Sequence, residues 1–230
     1  MRVVLRDSGW RNILRRVPAG VVLYYPGLEG GGATVRDYSG LSTPNNGTIT
    51  GATPVRLPSG LWCLDFDGDD YISTDYIVNT AKAQAWTLFG WAYVTRKDVD
   101  QNILGSGFIA NNLNFGIGGT GVYFSSWGDV AKYDVSASAI SINTWFHWAF
   151  RAYNGTAEYL VDAVVRDSLT YTTGGSSRSV FIGARRHQND PYNATQMWYG
   201  KIALEAFVNA YLTDAQISDR RNQTRRLFGV

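Results

Sequence analysis

The chain has 230 residues, of which 45% are hydrophobic, 14% aromatic and only 17% charged, with a net charge of +2. That much apolar surface excludes a disordered chain, the near-neutral balance gives no general case for a nucleic-acid partner, and the length suits one large domain. The 25 glycines and 14 tyrosines are the composition of many short strands joined by tight turns.

Cys63 is the only cysteine, so no intrachain disulfide can form, which suits a chain kept in a reducing cytosol. Residues 1–17 lack the apolar run of a signal peptide. No segment approaches the ~20 apolar residues that cross a bilayer, so membrane insertion is not expected. Within that first stretch Trp10, Ile13, Leu14 and Val17 recur at i, i+3, i+4 and i+7, with Arg11, Arg15 and Arg16 on the other side and Ser8 as N-cap. The spacing predicts a helix of about two turns, too short to stand alone in water. It must dock, on its own domain or on a neighbouring subunit, and Trp10, Arg11, Ile13, Leu14 and Arg15 are the expected assembly contacts. Arginines also crowd the end at Arg220, Arg221, Arg225 and Arg226, where solvated helix ends are favoured over contact with an acidic partner.

After residues 18–20 close the arm, Val21–Tyr25 reads as a strand and Pro26–Gly32 as a glycine-rich loop. Trp62, Leu64 and Phe66 alternate with Leu61, Cys63 and Asp65, the period of two expected of a strand. Asp67-Gly68 is a tight-reversal signal and Tyr71-Ile72 starts a return strand, so Leu61–Ser73 is expected to be a β-hairpin. Trp86–Val94 is apolar on both faces, as in a central strand covered on both sides. Shorter strands are expected at Asn102–Leu104, Leu113–Ile117, Val122–Ser125 and Lys132–Val135, separated by glycines. Thr144–Tyr153 alternates again, Asn154-Gly155 is a type I′ turn signal, and Tyr159–Asp162 is the return strand. Val180–Gly183 and Gly200–Leu204 are further strands. Thr213 to Gln216 is a capping box opening a helix to about residue 222, with Arg220 and Arg221 well placed for its dipole.

Taken in order, the Val35–Ala52 opening, the Gly60–Ile72 run, Trp86–Val94, Trp145–Ala163, Val180–Gly183, Gly200–Leu204 and the Thr213–Ile217 tail resemble the laminin G-like, concanavalin A-like jelly rolls. The similarity runs from Val21 to Ile217; Ala163 stands where the family has a turn glycine. It implies an all-β fold, an antiparallel two-sheet jelly-roll sandwich over residues 21–212, with an N-terminal arm (1–20) and a C-terminal helix and tail (213–230).

Glucanases of this architecture carry Glu-x-Asp-x-x-Glu on one strand, and none of Glu29, Glu158 and Glu205 has a partner at that spacing. Two histidines with no matching Cys, Ser or metal spacing offer no triad and no zinc site. His147 reads as a core residue and His187 as a loop residue suited to a ligand contact. Cys63 reads as a small buried hydrophobe. Asp65–Asp70 departs from an EF-hand, with Gly at the fourth place and Tyr76 at the twelfth. By resemblance, structural calcium would use the first-loop acid, here Asp37, and an acid of the closing strand. This chain has Ala203-Leu204 there, with Glu205 on the opposite face, so no cofactor is expected and Asp37 is the metal candidate. Sugar binding needs aromatic faces with short polar side chains. The candidates are Trp127 with Asp129, and His187, Asn189 and Tyr192 with Trp198.

The expectation is a non-catalytic structural or interaction protein of a phage or virus particle (capsid decoration, tail or fibre), reaching the virion surface after cytoplasmic synthesis. The docking arm, the lack of an export signal and the likeness to jelly rolls common in phage proteins motivate it. Its partners would be other virion proteins or copies of itself, and a cell-surface glycan. A free-standing carbohydrate-binding module and a glycoside hydrolase are the alternatives.

Overall fold

The computed structural model describes residues 19–77, 85–106, 114–118, 121–126, 129–134, 140–170, 179–186 and 194–230. The expected docking arm, with Trp10, Arg11, Ile13, Leu14 and Arg15, lies outside them.

Two antiparallel sheets face each other. Across the first run β14 (Val164–Thr170), β13 (Thr156–Val161), β12 (Trp145–Tyr153), β7 (Trp86–Val94), β18 (Tyr199–Val208), β5 (Trp62–Asp67) and β4 (Thr53–Arg56), with β1 (Val21–Tyr25) also on β18. Across the second run β11 (Asp129–Asp134), β10 (Gly121–Ser126), β9 (Asn114–Gly118) and β8 (Gln101–Gly105). That sheet continues through β15 (Ser179–Ile182), β6 (Tyr71–Ile77), β3 (Gly47–Thr50) and β2 (Thr34–Val35). A short ribbon pairs β16 (Arg185–Arg186) with β17 (Ala194–Thr195).

Alternation along the strands builds the core. Phe66, Leu88, Trp148, Phe150, Ile202 and Phe207 point inward from the first sheet and meet Ile72, Ile103, Phe115, Val180 and Ile182 of the second. Phe115 stacks on Trp148 with ring centroids 5.1 Å apart. The other side of β7 is apolar for a separate reason. Phe89 and Trp91 lie under helix α1 (Asp214–Thr224) and the tail, through Ile217, Leu227 and Phe228. Thr213 caps α1, accepting from the Gln216 N–H, while its own N–H donates to Gln216 Oε1 at 2.8 Å. Thr224 Oγ1 accepts from Trp91 Nε1 at 2.9 Å, fixing the helix to the sheet.

Two expectations need correction. Leu61–Ser73 is not a hairpin: β5 belongs to the first sheet and β6 to the second, and the chain arches between them at residues 68–70. Gly68 turns at φ 110°, and the Tyr199 ring fills the space a side chain there would need. Buried Asp70 accepts the Asp67 N–H at 2.8 Å, closing the arch. Phe66 and Ile72 therefore join one core from opposite layers. The expected closing strand Gly200–Leu204 is also too short. β18 continues to Val208 through a bulge in which Leu204 and Glu205 stand opposite the single Gly90. At that bulge β18 exchanges one neighbour, β5, for another, β1.

By contrast β12 and β13 form a true hairpin, with Asn154 at φ 50° and Gly155 at φ 78° as type I′ geometry demands. The next reversal repeats this at Asp162 (φ 53°) and Ala163 (φ 64°), so alanine is held in the conformation the expected glycine would take freely.

Candidate ligand-binding site

Among the described residues, helix α1 and the tail roof the middle of the first sheet's outer face and leave its two ends open. At one end the register of β12, β7, β18 and β5 lines up Trp145, Tyr93, Lys201 and Asp65 in one cross-strand row, each half-buried. The Trp145 and Tyr93 rings are 5.6 Å apart, Lys201 Nζ lies 5.0 Å from the Tyr93 centroid, and the same Nζ pairs with Asp65 Oδ2 at 3.1 Å. Each side chain is thus held by its neighbour, which lowers the entropy cost of presenting it to a ligand. On its other side Trp145 meets Phe228, centroids 4.7 Å apart. There a cavity of about 530 Å3 opens between Leu57-Pro58, Trp145 and the tail residues Arg226 to Gly229. Ser59 Oγ donates to the Leu227 carbonyl at 2.7 Å and fixes the tail as one wall, leaving the Arg226 side chain exposed. Aromatic faces beside fixed charges and an exposed guanidinium suit a sugar, whose rings offer C–H faces and whose rims offer hydroxyls or acids.

The other end of the same face carries Tyr153 and Tyr211, ring centroids 6.4 Å apart, over a cavity of about 300 Å3 lined also by Asn154, Thr156 and Glu158. Its polar groups are already engaged. The Glu158 carboxylate accepts from Arg151 Nε at 2.7 Å and from the Tyr211 hydroxyl at 2.8 Å, and Arg151 also pairs with Asp214 at 2.6 Å.

Of the residues singled out from sequence, Trp127, His187, Asn189 and Tyr192 lie outside the described residues. Asp129 opens β11, at the edge of the second sheet. Trp198 is a correction: it is fully buried in the main core and has no face to offer a sugar. Asp37 does not fit calcium. One carboxylate oxygen accepts the N–H groups of Tyr24 and Ser39, and the other accepts the Ser39 hydroxyl and the Asn45 N–H, all within 2.8–2.9 Å. That fills the roughly four acceptor sites of a carboxylate, so Asp37 braces its loop. Carboxylates of Asp67, Asp69 and Asp70 gather within 4.8 Å at the arch. Burial pushes the Asp70 carboxyl up to about 6.

Among the described residues His147, Cys63 and Glu205 are enclosed. His147 is buried under α1 beside Trp91, and neither ring nitrogen has a partner among the described residues. Burial, aided by Arg221 and Arg220, lowers it to about 3, so the ring is neutral. Burial also pushes the Cys63 thiol up to about 12, away from nucleophilic use. Glu205 is turned inward by its bulge and its acidity is suppressed by burial. Among the described residues no helix is long and apolar enough to cross a membrane.

Sequence reasoning missed the row. Trp145 and Tyr93 sit in strands that are otherwise mostly buried, and only parity separates them: Phe146 and Trp148 point inward, so Trp145 points out. Lys201 in an apolar closing strand was the available signal.

A family model described as the concanavalin A-like lectin/glucanases superfamily matches residues 66–218. No curated protein matches the chain. Among solved structures, the Trypanosoma rangeli sialidase is similar with a TM-score of 0.68 at 13% identity, covering 95% of this chain and 37% of that one. Domain 4 of an extracellular arabinanase from Geobacillus stearothermophilus, in complex with arabinotriose, has a TM-score of 0.63 at 17% identity. That match covers 87% of this chain and 97% of the domain. The binding domain of botulinum neurotoxin DC, in complex with SialylT, has a TM-score of 0.63 at 16% identity, covering 89% of this chain and 51% of that one. The chain thus spans about a third of the sialidase and about half of the toxin domain. At these identities the likeness is one of fold.

Proposed function

The chain belongs to the concanavalin A-like lectin/glucanase superfamily, and we propose that within it the protein is a non-catalytic glycan-binding module. The observation that carries this is the row Trp145, Tyr93, Lys201 and Asp65 beside the Arg226-rimmed cavity. Enclosure of His147, Cys63 and Glu205 supports a binding role over a hydrolytic one. The arabinotriose and SialylT complexes of two similar structures support a sugar as the ligand class. The exposed Arg226 favours a sugar bearing an acid.

The finer reading is a module on a phage or virus particle, anchored by the basic arm around Trp10–Arg15 to other virion proteins or to copies of itself. Deleting residues 1–17 tests it: an intact sandwich that no longer joins its assembly supports the reading, and unchanged assembly overturns it. For the glycan site, an array followed by calorimetry on the isolated protein is expected to give saturable binding that Trp145→Ala weakens at least roughly tenfold. Binding indifferent to Trp145 would refute the site. Release of reducing ends from a bound glycan would make the protein a hydrolase instead.

A further inference from the structure

The bulge in β18 places two costs at one point. Leu204 is held at φ 56°, a left-handed conformation that L residues adopt only at a cost. The following Glu205 is sent between the sheets, where it is 4% exposed and its Oε1 has no hydrogen-bond partner among the described residues. A buried carboxyl oxygen left without a partner destabilises the fold. Neither cost helps close the sandwich, since an apolar residue at 205 would pack there without either a charge or a lone pair to satisfy.

Glu205 lines a cavity of about 50 Å3 between the layers, walled by the aliphatic side chains of Val35, Ile49, Leu64, Ile72 and Ile202 and by the rings of Tyr25, Phe66 and Trp62. The mouth lies at the glycine-rich loop: Gly27, Glu29 and Gly31 line it, and a side chain at Gly30 would strike the Trp62 indole at 2.4 Å. The described lining includes two carboxylates and no Lys, Arg or His. The Tyr25 hydroxyl is spent on the Asn45 carbonyl at 2.6 Å.

The chemistry of this enclosure is selective. A divalent metal needs six or more oxygens, and aliphatic walls supply none. A water needs two to four polar partners and would find few beside Glu205. A primary ammonium would leave N–H groups facing hydrocarbon. A methylated ammonium has at most one or two N–H groups, turns methyls to the aliphatic walls and attracts both a carboxylate and aromatic faces. We propose that the Glu205 cavity binds a tertiary or quaternary methylammonium group, at a site separate from the aromatic row on the outer face. A water occupies about 10–15 Å3 on the same volume scale, so the space takes such a head and not a sugar ring.

Burial disfavours the ionised form of Glu205, and a paired cation favours it, so entry of the cation shifts the carboxyl toward its ionised state. The ionisable groups around it are Tyr25 on β1, Cys63 on β5 and Glu29 at the mouth, with Asp37 and Asp75 acting on Tyr25. Titration calorimetry of the full chain with trimethylammonium chloride and with choline, in buffers of different ionisation enthalpy, reads both binding and proton release. Saturable binding is expected, with tert-butanol and acetate inert. Glu205→Gln should weaken it at least roughly tenfold, while Trp145→Ala leaves it unchanged. A peptide bearing trimethyllysine, run alongside choline, distinguishes a protein source from a free or lipid head group. Glu205→Val is the second variant. If it folds with a higher melting temperature and the wild-type protein shows no saturable binding of either cation, the cavity is only a packing defect and the proposal fails. Binding that survives Glu205→Gln also overturns it.

Discussion

The two ends of the first sheet's outer face carry similar side chains and differ in what those side chains have left to offer. At the Tyr153 end an exposed aromatic pair sits over Glu158, yet Arg151 draws that carboxylate, Asp214 and the Leu212 carbonyl into one clamp. At the Trp145 end the rings are supported by Lys201 and Asp65, and the exposed Arg226 faces the cavity. Exposed tyrosines by themselves do not make a site; what distinguishes the ends is the exposed Arg226 that the Trp145 end adds beside its rings.

The comparison can be broken first at the clamp. Arg151→Met should cost roughly 2–3 kcal/mol of stability, read from urea unfolding, because four charge-assisted contacts of a buried guanidinium are lost together. Glycan affinity at the Trp145 end should survive in the folded fraction. His147, beneath the roof between the ends, gives the next effect. Its folded pKa of about 3 lies below the unfolded value of 6.5, so the unfolded chain binds a proton first and stability falls with acid through that window. The loss attributable to it is on the order of 2 kcal/mol between pH 6.5 and 5. His147→Leu should flatten that limb without removing a side-chain hydrogen bond among the described residues, and an unchanged limb would mean that the ring is solvated.

Smaller effects sharpen the contrast. Tyr93→Ala should weaken glycan binding about fivefold, some 1 kcal/mol, whereas Tyr153→Ala should stay within about twofold. Equal losses from the two would erase the distinction between the ends. Ala163→Gly, at the reversal leading out of the clamped end, should raise stability by about 0.5–1 kcal/mol by relieving a left-handed alanine. Chelation with EDTA should leave the unfolding midpoint where it was, since Asp37 has no acceptor site to spare. A fall would redirect attention to the carboxylates at the arch.

Much of this architecture was legible in the residues, and the failures have physical causes. Asn154-Gly155 and Asp67-Gly68 look alike on paper. The first does what the dipeptide promises because Tyr153 and Thr156 pair directly across it. The second arches between layers because Asp70 goes inside and Tyr199, far away in sequence, occupies the space over Gly68. Local turn chemistry fixes a reversal and leaves open whether the strands pair or face each other. The Cys63 and His147 readings hold because burial follows from strand pattern. Trp198 misled for the opposite reason: its polar, loop-like neighbourhood hides a side chain that folds into the core. The bulge at Leu204 and Glu205 arises where one strand changes partners, information that only the assembled sheet contains.

The most direct test of the central claim is to map a bound glycan by heteronuclear NMR on the isolated protein. The account predicts shift changes centred on Trp145, Tyr93, Lys201 and Arg226, with Tyr153 and Tyr211 still. Changes centred on the Tyr153 end or on the second sheet, with Trp145 unmoved, would contradict it.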